Sequence, residues 1–327
     1  MSTADKLLAL LVDQEAKWVS GEVIATQLNI TRTSIWKAVR KLEIQGYTIE
    51  SNRGQGYRYL PGHKIAAVAI QRYLKHDVAL QVFETIDSTN IYAKEMLSAG
   101  KITENTVIIS ERMTAGVGRL GRQFFSPKDT GLYVTFALPL PIGTQVNPGR
   151  LTTSTAVAVA EMVKSIFDID LQFKWVNDLL YRDKKVGGIL TEAVIDFESQ
   201  HFSSLIVGVG MNLATPAGGF PDAIAQKAGA LVDDLKVSRN VVVASLIDHF
   251  FAMYQNYQDG QYMATYRKKV VGMGQNVEIQ RGQEKIIGQI ISIDEDGGLV
   301  IDNGAGALTI NSGEITKLMM PNNSYKG

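Results

Sequence analysis

The chain has 327 residues, more than one hydrophobic core usually organises, so two or three domains are expected. Its 33 basic and 33 acidic residues exclude a globally cationic protein, and any nucleic-acid surface must be local. With no cysteine there is neither a disulfide framework nor a thiolate zinc site, which fits a reducing cytoplasm, and the four histidines (His63, His76, His201, His249) lack metal-ligand spacing. At the start, Leu7, Leu8, Leu11 and Val12 recur at helical spacing. The apolar run is too short for a membrane span and leads into Asp13-Gln14-Glu15 instead of a small-residue cleavage site, so no secretion or membrane segment is expected. Ser20 is a candidate N-cap for a helix through Leu28, which Asn29-Ile30-Thr31 would break. From Arg32 to Glu43, the apolar residues Ile35, Ala38, Val39 and Leu42 define one helical face and leave Arg32, Thr33, Trp36, Lys37 and Arg40 on the other. Two strand-like segments, Tyr47 to Glu50 and Tyr57 to Leu60, flank a turn containing Gly54 and Gly56, and Pro61-Gly62-His63-Lys64 reads as a linker.

The middle of the chain mixes both periodicities. Helices are expected over Ser88 to Ser98, Gly149 to Phe167 (with Pro148 near its start) and Ser238 to Tyr257. Strands are expected over Val107 to Ser110, Leu132 to Leu138, Leu171 to Trp175, Lys185 to Val194 and Phe202 to Val209. After Val271-Gly272 the segments shorten: Asn276 to Gln280, Lys285 to Ile293, Gly298 to Asp302 and Ala307 to Ile310 fit a small β-barrel or meander. The expected organisation is α+β and multidomain, with domains over 1–62, 65–270 and 271–320.

The N-terminal unit carries a local charge bias. Between Thr31 and Arg58 there are six basic residues (Arg32, Lys37, Arg40, Lys41, Arg53, Arg58) and two acidic ones (Glu43, Glu50). Most short charge clusters are solvated faces. Here the order of helix, turn, basic amphipathic helix and glycine-tipped hairpin points to a winged helix-turn-helix, with Arg32, Thr33, Trp36, Lys37 and Arg40 facing the major groove and Arg53 reaching phosphate or the minor groove.

Further along, Thr114-Ala115-Gly116-Val117-Gly118-Arg119-Leu120-Gly121-Arg122-Gln123-Phe124 follows a strand. Its glycines let backbone amides approach an anion, and Arg119 and Arg122 add fixed positive charge. The lack of a clear following helix argues against a dinucleotide fingerprint. Lys174-Trp175-Val176-Asn177-Asp178 reads as a strand end and polar turn, and Lys185 opens the next strand beside Gly187 and Gly188. Asp87-Ser88-Thr89-Asn90 caps a helix. Taken singly, each has an ordinary reading: a surface turn, a hairpin, a cap.

In combination these residues resemble the biotin protein ligase family, specifically its bifunctional members that also act as biotin operon repressors. The resemblance spans nearly the whole chain. It implies a winged helix-turn-helix, a central class II synthetase-like mixed sheet with helices, and a C-terminal SH3-like barrel in which Gly313-Glu314-Ile315 forms a closing strand. The implied reaction joins biotin to AMP at the expense of ATP, then transfers biotin to a lysine of the biotin carboxyl carrier protein of acetyl-CoA carboxylase. By matched position, Ser88, Thr89, Asn90, Met113, Gly116, Val117, Gly118, Arg119 and Lys185 would hold biotin. Arg119, Arg122, Phe124, Lys174, Asn177, Asp178 and Asn212 would hold ATP, with Asp178 also near Mg2+. Arg119 and Lys185 would be catalytic. Operator DNA, a homodimer formed on biotinyl-AMP and a cytoplasmic location are implied as well.

Three positions depart from the family pattern, which usually has glutamine at Met113, arginine at Val117 and proline at Val176. The first removes an amide partner and the second a loop cation, so weaker adenylate retention or reduced biotin affinity is expected. A biotin-sensing transcription factor with weak or no ligase activity is therefore an alternative. A lipoyl or octanoyl transferase is another, opposed by the Lys174 to Asp178 signature and the winged helix.

Overall fold

Local capping sets the first three helices. Ser2 and Asp5 form a reciprocal capping box at the start of α1 (Thr3–Asp13), Ser20 accepts from the Val23 amide at 3.2 Å to open α2 (Gly21–Leu28), and Thr31 accepts from the Ser34 amide at 3.2 Å to open α3 (Arg32–Ile44). Asn29, at φ 50°, ends α2 in the left-handed region that Asn tolerates. The computed structural model describes residues 2–14, 16–195, 200–318 and 325–326. They divide into one unit of Met1–Lys75 with Lys236–Ser245 and another of His76–Leu235 with Leu246–Gly327.

In the first unit, Leu7, Leu11, Ile24, Ile35 and Leu42 are fully buried, and each contributes roughly 1.5–3 kcal/mol of burial. The antiparallel hairpin β1 (Thr48–Asn52) and β2 (Gly56–Leu60) pairs Ile49 with Tyr59, and Val19 adds a bridge to Tyr57. Gly56, at φ +102°, is required there because a Cβ would strike the Val19 carbonyl. The strands run two residues past Glu50 and one residue before Tyr57. Helix α4 (Ala67–Tyr73), which its short pattern does not announce, joins this core through Ala69. Asn240 accepts from the Ala66 amide and donates to the Lys64 carbonyl, both at 2.9 Å.

The second unit is built on a mixed sheet of seven strands in the order β3-β4-β5-β9-β8-β7-β6. In chain order its elements are β3 (Ala79–Phe83), α5 (Thr89–Ser98), β4 (Thr106–Ser110), β5 (Gly131–Pro139), α6 (Pro148–Phe167), β6 (Gln172–Lys174), β7 (Asp178–Tyr181), β8 (Lys184–Ile195), β9 (Phe202–Asn212), a single turn α7 (Asp222–Ala225), α8 (Arg239–Tyr254, whose first turns belong to the other unit) and α9 (Met263–Lys269). Only β3 and β4 pair in parallel; the other neighbours are antiparallel. Central β5 is apolar almost throughout because both faces are covered. Two sequence expectations shorten. The strand over Leu171 to Trp175 contracts to Gln172–Lys174, and the helix expected to reach Tyr257 stops at Tyr254, ahead of a 3-10 turn at Tyr257–Asp259.

The C-terminal part is an antiparallel sheet in the order β13-β12-β11-β10-β14-β15, from β10 (Asn276–Arg281), β11 (Glu284–Ile293), β12 (Leu299–Asp302), β13 (Ala307–Ile310), β14 (Glu314–Leu318) and β15 (Tyr325–Lys326). Among the described residues no helix is long and apolar enough to cross a membrane.

Candidate active site

A cavity forms where the N-terminus of α5, the loop after β4, the β6–β7 turn and strands β8 and β9 converge. It brings together Ser88, Thr89, Asn90, Met113, Val117, Gly118, Arg119, Arg122, Phe124, Lys174, Asn177, Asp178 and Lys185, segments far apart in the chain. Gly116 lies just behind this lining, where an added Cβ would meet the Phe124 carbonyl and Met113. Asn212 lines an adjoining cavity with Arg122, Lys174, Asp178, Lys185 and Lys227, and its amide donates to the Gly229 carbonyl at 2.9 Å.

One end of the cavity is neutral and built on α5. Ser88 is the N-cap, so its hydroxyl accepts from the Ile91 amide at 3.4 Å. Asn90 is buried and its carboxamide is committed: Nδ2 donates to Glu192 at 3.0 Å and Oδ1 accepts from Thr135 at 2.7 Å. An added Cβ on Gly208 would collide with this amide, which explains a glycine on β9. Thr135, fully buried on β5, also donates to the Thr89 hydroxyl at 2.8 Å, so one proton serves two acceptors. Thr89 directs both its backbone N–H and its hydroxyl at the Met113 sulfur, each at 3.5 Å.

The other end is cationic. Lys185 meets Asp178 at 2.5 Å, Arg119 donates to the Asn177 side chain at 3.2 Å, and Arg122 reaches across to Glu314 on β14 at 2.5 Å. Burial, the main cause, lowers the pKa of Lys174 and of Arg119, while Asp178 and Glu314 pull both back up. The peptide between Trp175 and Val176 in this turn is cis. The glycine and arginine loop folds back as a small hairpin: Phe124 N–H donates to the Gly116 carbonyl at 2.8 Å and Gly118 N–H to the Arg122 carbonyl at 2.7 Å. These two amides therefore serve the loop's own closure, and Leu120, at φ 57°, stands exposed at the tip. Among the described residues no three acidic, histidine or cysteine side chains gather as a metal site. Asp178 and Glu314 are hard oxygen donors of the kind that share Mg2+ with substrate phosphates.

In the first unit, Arg32, Thr33, Trp36, Lys37, Arg40 and Arg53 are all exposed, and Arg32 and Arg53 line one groove with Ser51 and Asn52. Both acidic residues of the basic segment are paired. Glu43 holds Arg40 at 2.9 Å, and Glu50 holds Arg58, whose guanidinium also lies 4.6 Å over the Trp18 ring. Arg58 is thereby committed to the hairpin's own structure.

Residues 82–212 match the biotin/lipoate A/B protein ligase family, residues 3–58 an HTH domain and residues 272–318 the biotin protein ligase C-terminal domain. The chain is 30% identical over 325 residues to the bifunctional ligase/repressor BirA of Bacillus subtilis, covering 96% of this chain and 98% of the relative. The chain belongs to the bifunctional biotin protein ligase family. The BirA protein of Escherichia coli is 27% identical over 303 residues, 91% of each chain. The biotin protein ligase of Aquifex aeolicus in complex with biotin and ATP aligns with a TM-score of 0.62 at 25% identity, over 76% of this chain and 99% of that one. As in that family, an N-terminal HTH domain, a central mixed-sheet ligase fold and a C-terminal antiparallel sheet domain follow one another.

Among the residues that sequence reasoning missed at or behind this ligase's cavity are four polar ones: Thr135, Glu192, Lys227 and, as a cavity residue, Glu314. Each acts through a partner more than 35 residues away or stands alone in its segment. A small polar residue at the middle of an otherwise apolar and aromatic central strand is a sequence signal for Thr135.

Proposed function

We propose that this chain activates biotin with ATP to biotinyl-5′-AMP, transfers biotin to a lysine of biotin carboxyl carrier protein, and represses transcription through its winged helix in response to biotin. The observation that carries the reading is one cavity with a neutral hydrogen-bonding end at Thr89 and a cationic end at Arg119, Arg122, Lys174 and Lys185. A biotin carboxylate and an ATP α-phosphate repel each other, and the second end is suited to holding both.

In the first step a biotin carboxylate oxygen attacks the α-phosphorus and pyrophosphate leaves. Lys185 and Arg119 neutralise the charge on the carboxylate and phosphoryl oxygens, and Arg122 and Lys174 hold the departing phosphates. In the second step a carrier lysine amine attacks the acyl carbon, an amide forms and AMP leaves. Catalysis rests on positioning and electrostatics. Mg2+ borne by the triphosphate would be held by Asp178, with Glu314 nearby, and would supply further charge neutralisation. Phe124 and Asn212 border the nucleotide; Ser88, Val117 and Gly118 border biotin, with Gly116 supporting them from behind. The functional domains are assigned to 1–62, 65–270 and 271–320. Binding of operator DNA, dimerisation on biotinyl-AMP and a cytoplasmic location complete the reading.

The test is formation of biotinyl-AMP and pyrophosphate from biotin and MgATP, then labelling of apo carrier protein, alongside a gel shift of operator DNA with and without biotin and ATP. Lys185→Ala is expected to lose transfer by about 100-fold or more. Wild-type protein that forms no adenylate would refute the ligase reading. Met113 and Val117 favour one second reading, a biotin-responsive regulator with weak ligase activity, which the same assay separates by DNA binding without transfer.

A further inference from the structure

We propose that Met113 is an oxidation site whose sulfoxide closes the biotin end of the cavity, making ligand binding sensitive to hydroperoxides. The inference rests on the reading that this end takes biotin. Three observations carry it. Met113 lines the cavity and is half-buried, so a small oxidant can reach it from the ligand's side. Its sulfur already receives two donors from Thr89, the backbone N–H and the hydroxyl, each at 3.5 Å. Neither donor has a competing helical acceptor: the N–H belongs to the first residue of α5, where helical amides are unpaired, and Thr135 supplies rather than takes a proton at the Thr89 oxygen.

A thioether is a weak acceptor, so this pairing is easily displaced by a ligand oxygen. Oxidation reverses that balance. Hydrogen peroxide transfers one oxygen atom to Sδ; the sulfur gives up two electrons, the O–O bond breaks, and the peroxide's second oxygen leaves as water. The product is a polar S=O group on a flexible side chain, beside two donors at a helix N-terminus that favour a partially negative oxygen. A small retreat of the side chain brings that oxygen within hydrogen-bond distance of both. Its chemistry is that of a carbonyl oxygen, so it occupies the donors a ureido-type ligand needs. A sulfoxide reductase would reverse the change.

The test treats the full-length protein with hydrogen peroxide, measures Met113 oxidation by peptide mass, and titrates biotin by calorimetry before and after. A loss of affinity of about tenfold or more is expected (about 1.4 kcal/mol), with recovery after methionine sulfoxide reductase and no change in the thermal transition. Met113→Leu, whatever its own affinity, is expected to keep it unchanged through peroxide treatment, which separates Met113 from the other methionines. Unaltered biotin affinity in protein oxidised at Met113 overturns the proposal. So does resistance of Met113 under conditions that oxidise the exposed Met273, or an equal loss in Met113→Leu. If the untreated protein fails to bind biotin, the functional reading itself falls, an outcome distinct from these.

Discussion

Replacing Thr135 with valine keeps the shape of a fully buried side chain and deletes one hydroxyl. Two contacts vanish together, to Asn90 Oδ1 at 2.7 Å and to Thr89 Oγ1 at 2.8 Å. Thr89 retains Met113 as a partner, so its loss is small. Asn90 is different: its Nδ2 is held by Glu192, which keeps Oδ1 turned toward the new methyl group. A buried acceptor left unsatisfied costs about 1–3 kcal/mol, and that is the expected loss of unfolding free energy in urea. The ligand-facing consequence is smaller. If about 1 kcal/mol of the ordering of Thr89 and Asn90 is lost, biotin binding weakens about fivefold, with KM for biotin rising more than kcat falls. Thr135→Ser retains the hydroxyl and is expected to restore biotin binding, with a cavity cost of about 1 kcal/mol in stability. Calorimetric titration and urea denaturation on the three proteins decide the matter. A valine variant with wild-type stability and wild-type biotin affinity would refute the role assigned to Thr135.

Lys174 supplies a pH prediction. Burial depresses its pKa in the free protein, so it loses its proton at a pH where an ordinary lysine is still charged, and the folded state binds fewer protons than the unfolded state across that alkaline interval. Stability therefore gains as pH rises through the interval, whereas affinity for a polyphosphate falls; Lys174→Arg, titrated with ATP between neutral and alkaline pH, is expected to hold its affinity to higher pH than wild type. Met113→Gln removes the oxidisable thioether, and its biotin affinity, measured by calorimetry, is expected to be the same before and after peroxide treatment. Arg53→Ala on the wing is expected to flatten the log–log salt dependence of DNA binding by about 0.9 for the phosphate contact removed, read from gel shifts across ionic strengths; an unchanged slope removes Arg53 from the interface.

The N-terminal unit was legible because apolar periodicity marks its helices and a cap at Ser20 marks the start of one of them, whereas Thr31, read as part of a break, turns out to cap the next. The glycine and arginine loop and the Lys174 to Asp178 turn were legible because each gathers its polar groups within a few consecutive residues. What escaped is nonlocal. Strand β3 is half-buried along its whole length and so lacks alternation, and α9 is too short for periodicity to register. Glu314 closes on Arg122 across 192 positions, and no local pattern encodes such a contact. The basic segment from Thr31 to Arg58 shows the reverse error: counting charges could not reveal that Glu50 and Trp18 engage Arg58.

The pairing of Lys185 with Asp178 and of Arg122 with Glu314 makes the cationic end resemble an ion-exchange resin already loaded with its own counterions. An incoming anion must evict a carboxylate, so a single small anion gains little, whereas a polyanion that takes several cations at once offsets the successive displacements by multivalency. Selectivity for a nucleoside polyphosphate over free phosphate then arises before any base is recognised. Because the counterions are covalently part of the chain, raising bulk salt should weaken that binding less than the number of cations in the cavity suggests.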